Sequence, residues 1–362
     1  MIDKEYVINK KKKALQAVHD FNSDEQNRAF LKSEKKREEP GYNGSTFLYI
    51  RAFDGDRGAR PISAGTVFWL SPDIELYQAG VLVDTSKPLA ANTTYSVRVT
   101  VTNDGDLDCN VCTVDLFLCK PSIGSSVNSA LVVGVANTPV LEHSTATIEI
   151  PFTTTEDMEG HRCMFARAYS LVNHDYPADL INFVTSSDRQ IGQQNLDIVS
   201  QGSTYLFNVN ILHNKPIQDM EITLKKDASF LRKNRVLKEK YSLSKKPFKA
   251  EYFKFEKLGI AKYNEGAVAI PLKRFRKNPL IVTGFEKEVK HFKNGIWHHQ
   301  FQPGLNEMKL DIPVLGLTEN EAVPMNISVR DPETGIIIGG ITIFIVERSR
   351  SRGGKPQSRV YS

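Results

Sequence analysis

Thr94-Tyr95-Ser96-Val97-Arg98-Val99-Thr100-Val101-Thr102-Asn103-Asp104-Gly105 is the stretch on which the reading of this chain turns. Tyr95, Val97, Val99 and Val101 recur at every second position, with Ser96, Arg98 and Thr100 between them. A period of two belongs to a β-strand with one buried face. Asn103-Asp104-Gly105-Asp106 then supplies turn chemistry. The next run places Cys112, Val114, Leu116 and Leu118 inward and Thr113, Asp115 and Phe117 outward. With similar texture at 146–152, 163–171 and 195–199, short strands joined by polar turns predict a β-sandwich.

Upstream, 46–51 and 66–70 are β-branched and aromatic runs separated by Asp54-Gly55-Asp56-Arg57-Gly58. Downstream, a second β unit opens at 205–211 and continues through 220–224, 267–272, 280–285 and 325–329. Its closing pair, 323–330 and 335–346, is joined at Asp331-Pro332-Glu333-Thr334-Gly335, where proline presets one φ and glycine accepts a positive one. Gly339-Gly340 inside the last strand predicts a bulge or the close approach of another backbone. Residues 14–36 carry one weak helical stripe in a Lys/Glu-rich setting, which predicts an arm ordered against a partner.

The expected fold class is therefore all-β: tandem immunoglobulin-like β-sandwich domains, with a partly helical basic N-terminal arm and a flexible C-terminal tail. The expected boundaries are 1–45 for the arm, 46–200 and 201–348 for the sandwiches, and 349–362 for the tail. A length of 362 residues suits two or three domains, and 40% hydrophobic with 25% charged residues excludes disorder of the whole chain. A net charge of +5 permits acidic partners without demanding them. Lys10-Lys11-Lys12-Lys13 is followed by no apolar segment, and no stretch approaches the roughly 18 apolar residues of a membrane helix. The expectation is synthesis in the cytoplasm without a signal peptide, with later export as part of a phage-like particle also open.

The residues from Asn92 to Gly105, read as a strand of the form tyxVxVxVxNxG and followed by a strand ending near Cys119, resemble the CARDB type of bacterial domain. The resemblance covers roughly residues 72–200, with Trp69-Leu70-Ser71-Pro72-Asp73-Ile74 and Asp188-Arg189-Gln190-Ile191-Gly192-Gln193-Gln194-Asn195 as its flanking companions. It implies an immunoglobulin- or fibronectin-III-like scaffold of the kind found in adhesion-related and surface proteins. The chain departs from that pattern in lacking a signal peptide and in the insert between Pro121 and Pro139.

Four constellations could carry chemistry. Cys109-x-x-Cys112 has zinc-knuckle spacing, and His161-x-Cys163 could complete a four-ligand metal site; the competing reading is that cysteine is a small buried apolar residue. Asp104, Asp106 and Asp108 alternate as in calcium loops, as do Asp54 and Asp56, but the same residues build ordinary turns. His298-His299 would point to opposite faces of a strand and so could not chelate one ion. Between residues 232 and 293 lysines and arginines are interleaved with aromatics, the composition of a groove for single-stranded nucleic acid. Arg232, Lys233, Arg235, Lys245, Lys246, Lys273, Arg274, Arg276 and Lys277 are the candidate contacts to a polyanion or an acidic protein.

No hydrolase, zinc-protease or phosphate-loop motif is present. The function expected is that of a non-catalytic structural or adaptor subunit of a larger or homo-oligomeric assembly, of secretion-system, phage-like or adhesion type, needing no cofactor. The rivals are a polyanion or nucleic-acid binder acting through 232–293 and a metal-dependent enzyme using Cys109, Cys112, His161 and Cys163.

Overall fold

The computed structural model describes residues 44–63, 65–83, 89–158, 161–211, 218–227, 235–246, 249–261, 290–291 and 295–347. Its strands in the first half are β1 (Leu48–Tyr49), β2 (Ile74–Gln78), β3 (Val81–Leu82), β4 (Thr94–Asn103), β5 (Cys109–Cys119), β6 (Ser122–Ile123), β7 (Ser125–Ser126), β8 (Leu131–Val140), β9 (Ser144–Thr153), β10 (Cys163–Tyr169) and β11 (Asn182–Phe183). There follow β12 (Ile191–Gln194), β13 (Leu196–Ser200), β14 (Thr204–Ile211), β15 (Gln218–Lys226), the helix α1 (Arg235–Lys240), β16 (Ser242–Leu243), β17 (Lys254–Ala261) and β18 (Lys290–His291). The last are β19 (Ile296–Phe301), β20 (Gly304–Asp311), β21 (Glu321–Arg330) and β22 (Ile337–Val346). The described chain is thus all-β, built as β-sandwiches.

In the first sandwich, β4 pairs with β1 and β2 on one side and with β9 along its whole length on the other. The facing sheet runs β12-β10-β5-β8. Alternation does what it predicts at β4: Tyr95, Val97, Val99 and Val101 are buried against Cys112, Val114, Leu116 and Leu118 of β5. The opposite face of β5 is covered too, because Phe117 packs with Phe165, Phe183 and Ile191 beneath the short β7–β11 pair.

The second sandwich sets the sheet β13-β22-β21-β15-β19 against β18-β17-β20-β14-β6. Its core is aliphatic and aromatic, with Phe207, Phe255, Trp297 and Phe301 among Ile, Met and Val side chains. β22 reads as a nearly unbroken apolar run because both of its faces are covered. Ile341, Ile343 and Ile345 face that core, while Phe344 is buried with Leu237 of α1 on the other side.

Two strands cross over. Leu196–Ser200, grouped with the first region by pattern, pairs in parallel with β22. Ser122–Ile123, which lies between β5 and β8, pairs in parallel with β14. The paired glycines are used at this boundary: a Cβ on Gly340 would lie 2.5 Å from the Trp69 ring, and one on Gly339 2.9 Å from the Gly124 backbone nitrogen. The neighbouring register shift, where Val329 faces Gly339 and Arg330 faces Ile337, is a bulge at the same place.

Candidate protein-interaction site

The four proposed metal ligands are not brought together. Cys109 and Cys112 lie at the start of β5, and both turn inward because the ladder to β8 slips between them, Cys109 facing Val140 and Cys112 facing Thr138. Cys163 sits opposite Cys119 at the far end of β5 and on the other face of the sheet. Seven strand residues, about 23 Å, separate the two ends. His161 faces Asp197 at 3.0 Å. Among the described residues no group of three or more His, Cys, Asp or Glu side chains is arranged to hold a metal ion. All four thiols are free and buried.

The acidic loops are committed internally. Asp104 accepts from the Tyr49 hydroxyl, Asp106 from the Ser45 amide and Asp108 from the Glu142 amide. Asp56 accepts from the Ala52 and Gly58 amides and pairs with the buried Arg60 at 2.9 Å. His298 is exposed, whereas His299 stacks against Trp297 and meets Phe301 edge-on.

Of the basic candidates, Arg232, Lys233, Lys273, Arg274, Arg276 and Lys277 lie outside the described residues. Arg235 opens α1, and Lys245 and Lys246 are exposed in the loop after β16. Lys225, Lys226 and Lys249 line an open depression nearby together with Glu251.

The junction of the sandwiches is a polar cluster that the sequence did not announce. Asn195 donates through its side-chain amide to the carbonyls of Ser122 (2.8 Å) and Gly340 (2.9 Å) and accepts from the Cys163 thiol. Its backbone binds the Trp69 carbonyl and receives the Thr342 amide. The Trp69 indole donates to the Thr342 hydroxyl at 3.0 Å. Two residues on, Asp197 accepts from the Tyr205 hydroxyl. Burial, then the Asp197 carboxylate and Cys163, hold the Tyr205 phenol well above the ordinary tyrosine value. A raised folded value means that the fold favours the neutral phenol. Its contribution is full below about pH 10 and is lost as the pH rises beyond it. Tyr205→Phe is therefore expected to flatten the alkaline limb of the stability–pH curve measured by urea unfolding. Equal slopes in variant and parent would overturn this.

The feature that faces outward is β8. It ends its sheet, with β5 on one side and no described strand on the other. The opposite end, β12, is instead covered: Leu70 bridges Gln194, and the Ser71 amide reaches the Gln193 carbonyl at 2.8 Å. From Leu131 to Val140 no residue is charged. A second register slip, where Gly134 faces Leu116 but Val132 faces Phe117, turns Val132 and Val135 to the same outer face. They are 56% and 57% exposed, and Leu180 and Ile181, 56% and 55% exposed, extend the same surface. Arg167 links the two parts, pairing with Asp115 opposite Val135 and donating to the Leu180 carbonyl.

No family model and no curated protein matches the chain. Among solved structures it is similar to the CARDB domain of a Pyrococcus furiosus protein in complex with two metal ions, at 12% identity and a TM-score of 0.24, over 41% of this chain and 100% of that one. The C-terminal domain of Wzt follows at 11% identity and 0.21, over 45% and 87%. A Mobiluncus mulieris adhesin is similar at 8% and 0.20, over 76% and 97%. These likenesses are distant. The all-β architecture rests on the chain's own sheets.

Proposed function

We propose that this chain is a non-catalytic binding subunit that docks other proteins in a larger assembly, with the open edge of β8 as its principal contact. The observation that supports this is a ten-residue edge strand with no charge and two exposed valines. Edge strands present a row of unpaired backbone donors and acceptors, and proteins usually blunt them with charge, proline or a covering segment. An added strand satisfies that row and seats its alternate side chains on the exposed valines. In this reading the two sandwiches form the platform, with β6 and β13 of the first region, 46–200, built into the sheets of the second, 201–348. The arm 1–45 and the tail 349–362 serve as further attachments, in an assembly of secretion, phage-like or adhesion type.

The test places a photo-crosslinking residue at Val135 in the full chain, in its native cell, with the same residue at Thr147 on β9 as reference. Adducts to a protein at position 135 that are absent at 147 are expected. Equal or absent adducts at both positions would end the reading.

A second reading has its own observation: Lys225, Lys226, Lys245, Lys246 and Lys249 are all exposed in one region of the second sandwich. A polyanion bound there would be released by salt. An oligonucleotide shift that falls with ionic strength and disappears on Lys225→Glu/Lys226→Glu/Lys249→Glu substitution would favour it.

A further inference from the structure

We infer that the occupant of the β8 edge is β8 of a second copy of this chain, the two strands running antiparallel about a twofold axis and joining two four-stranded sheets into one. The inference rests on the docking role proposed for that edge and names its partner.

Three observations select self-pairing. First, the edges of the described sheets differ in how they are defended. β9 carries the exposed Glu149 and Pro151, and β19 carries two histidines. β8 alone among these is ten residues long without a charge, and its one proline, Pro139, stands next to its end. A strand with no charge meets no like-charge repulsion when it lies against itself.

Second, the β8 surface is self-complementary. An isologous contact brings residue i to j and j to i. The register that sets Val132 of one copy opposite Val135 of the other forms that apolar pair twice. It is available because the slip in the β5–β8 ladder puts both valines on one face. Without the slip, positions 132 and 135 would lie on opposite faces.

Third, the surroundings suit a partner of the same kind. Leu180 and Ile181 add apolar side chains on the outer face, Arg167 and Asp115 beside them are paired with each other at 2.5 Å, and the Asp179 carboxylate already accepts from the Ile181 and Asn182 amides. A second copy would therefore bury apolar surface on both sides without stranding a charge.

The test uses the full chain and sedimentation equilibrium across a concentration series. The parent is expected to be a dimer that dissociates on dilution. Val132→Lys/Val135→Lys places like charges opposite each other twice and is expected to weaken the dimer by about a hundredfold or more. Val132→Lys/Val135→Glu places opposite charges in the same two positions and is expected to restore dimerisation relative to the double lysine. Both residues are more than half exposed, so neither variant disturbs the core. A parent that stays monomeric throughout would overturn the inference, as would a double-lysine variant that dimerises like the parent or a charge-matched variant no better than the double lysine. A monomeric parent that still cross-links another protein from position 135 would remove self-pairing and leave the docking role standing.

Discussion

Trp69→Ala is expected to cost about 3–5 kcal/mol of stability, the range for removing a large buried aromatic side chain. The ring is 2% exposed and meets Phe68 edge-on at 5.3 Å. Its far edge lies over Gly340, where any side chain would collide with it, and its nitrogen donates to Thr342. The cavity cost should dominate, because the Thr342 hydroxyl keeps its bond to Asn326 at 2.7 Å when the indole is gone. Trp69→Phe keeps part of the packing and loses the hydrogen bond, a net of about 1 kcal/mol, together with part of the ring edge over Gly340, so its loss should lie between that value and the alanine loss. Guanidinium unfolding of the three proteins, followed by the remaining Trp297, measures both. A loss under about 1 kcal/mol for Trp69→Ala would show that Trp69 does not brace the junction.

Asp175→Ala should be comparably damaging for an electrostatic reason. The carboxylate is 5% exposed and accepts four bonds: from the Leu48 amide at 2.7 Å, the Thr46 hydroxyl at 3.2 Å, Gln190 at 2.7 Å and Arg189 at 2.8 Å. It ties β1 to the two segments that follow β10. Its removal leaves a partly buried guanidinium without its counter-charge and a buried amide without an acceptor, together about 3–5 kcal/mol. The Arg189 guanidinium would keep its stacking on Phe47 at 4.1 Å. Asp175→Asn, which keeps a carbonyl acceptor, should lose clearly less. By contrast, breaking the exposed pair Arg98–Glu149 should change little, since solvent screens it. Thermal unfolding of the three variants sets the order. If Asp175→Ala and Arg98→Ala shifted the midpoint alike, the network around Asp175 would carry no special weight.

How much of this was legible follows from which signals are local. The period of two at Tyr95 to Val101 and again at Cys112 to Leu118 is local, and those residues face each other in the first core. The β22 glycines were also readable, because glycine inside a strand demands an intruder, here Trp69 and Gly124. What escaped was long-range. Nothing in Leu196–Ser200 says that its partner is β22, 146 residues away in parallel register from Leu196↔Thr342 to Ser200↔Val346. Ser122–Ile123 is too short to carry any periodicity. The zinc spacing misled because spacing cannot show that a strand holds two cysteines at one end and a third opposite the other end. The β8 edge escaped for a related reason: an uncharged strand reads the same whether it is central or terminal, and only the sheet order tells them apart. The densest part of the basic segment falls outside the described residues, so its composition stands alone.

The crossed strands bear on where this chain could bend. The segment that carries β6 leaves the first sandwich, lends two residues to the second and returns within a few positions. The chain therefore passes between the two bodies three times, through the links on either side of β6 and through the Asn195 crossing. A single covalent link can serve as a hinge; three spaced links, with a tryptophan wedged among them, act as a weld. Forces applied to one sandwich would be transmitted to the other as to a single lever, and splitting the chain after residue 200 would strip β6 and β13 from the sheets of the second sandwich.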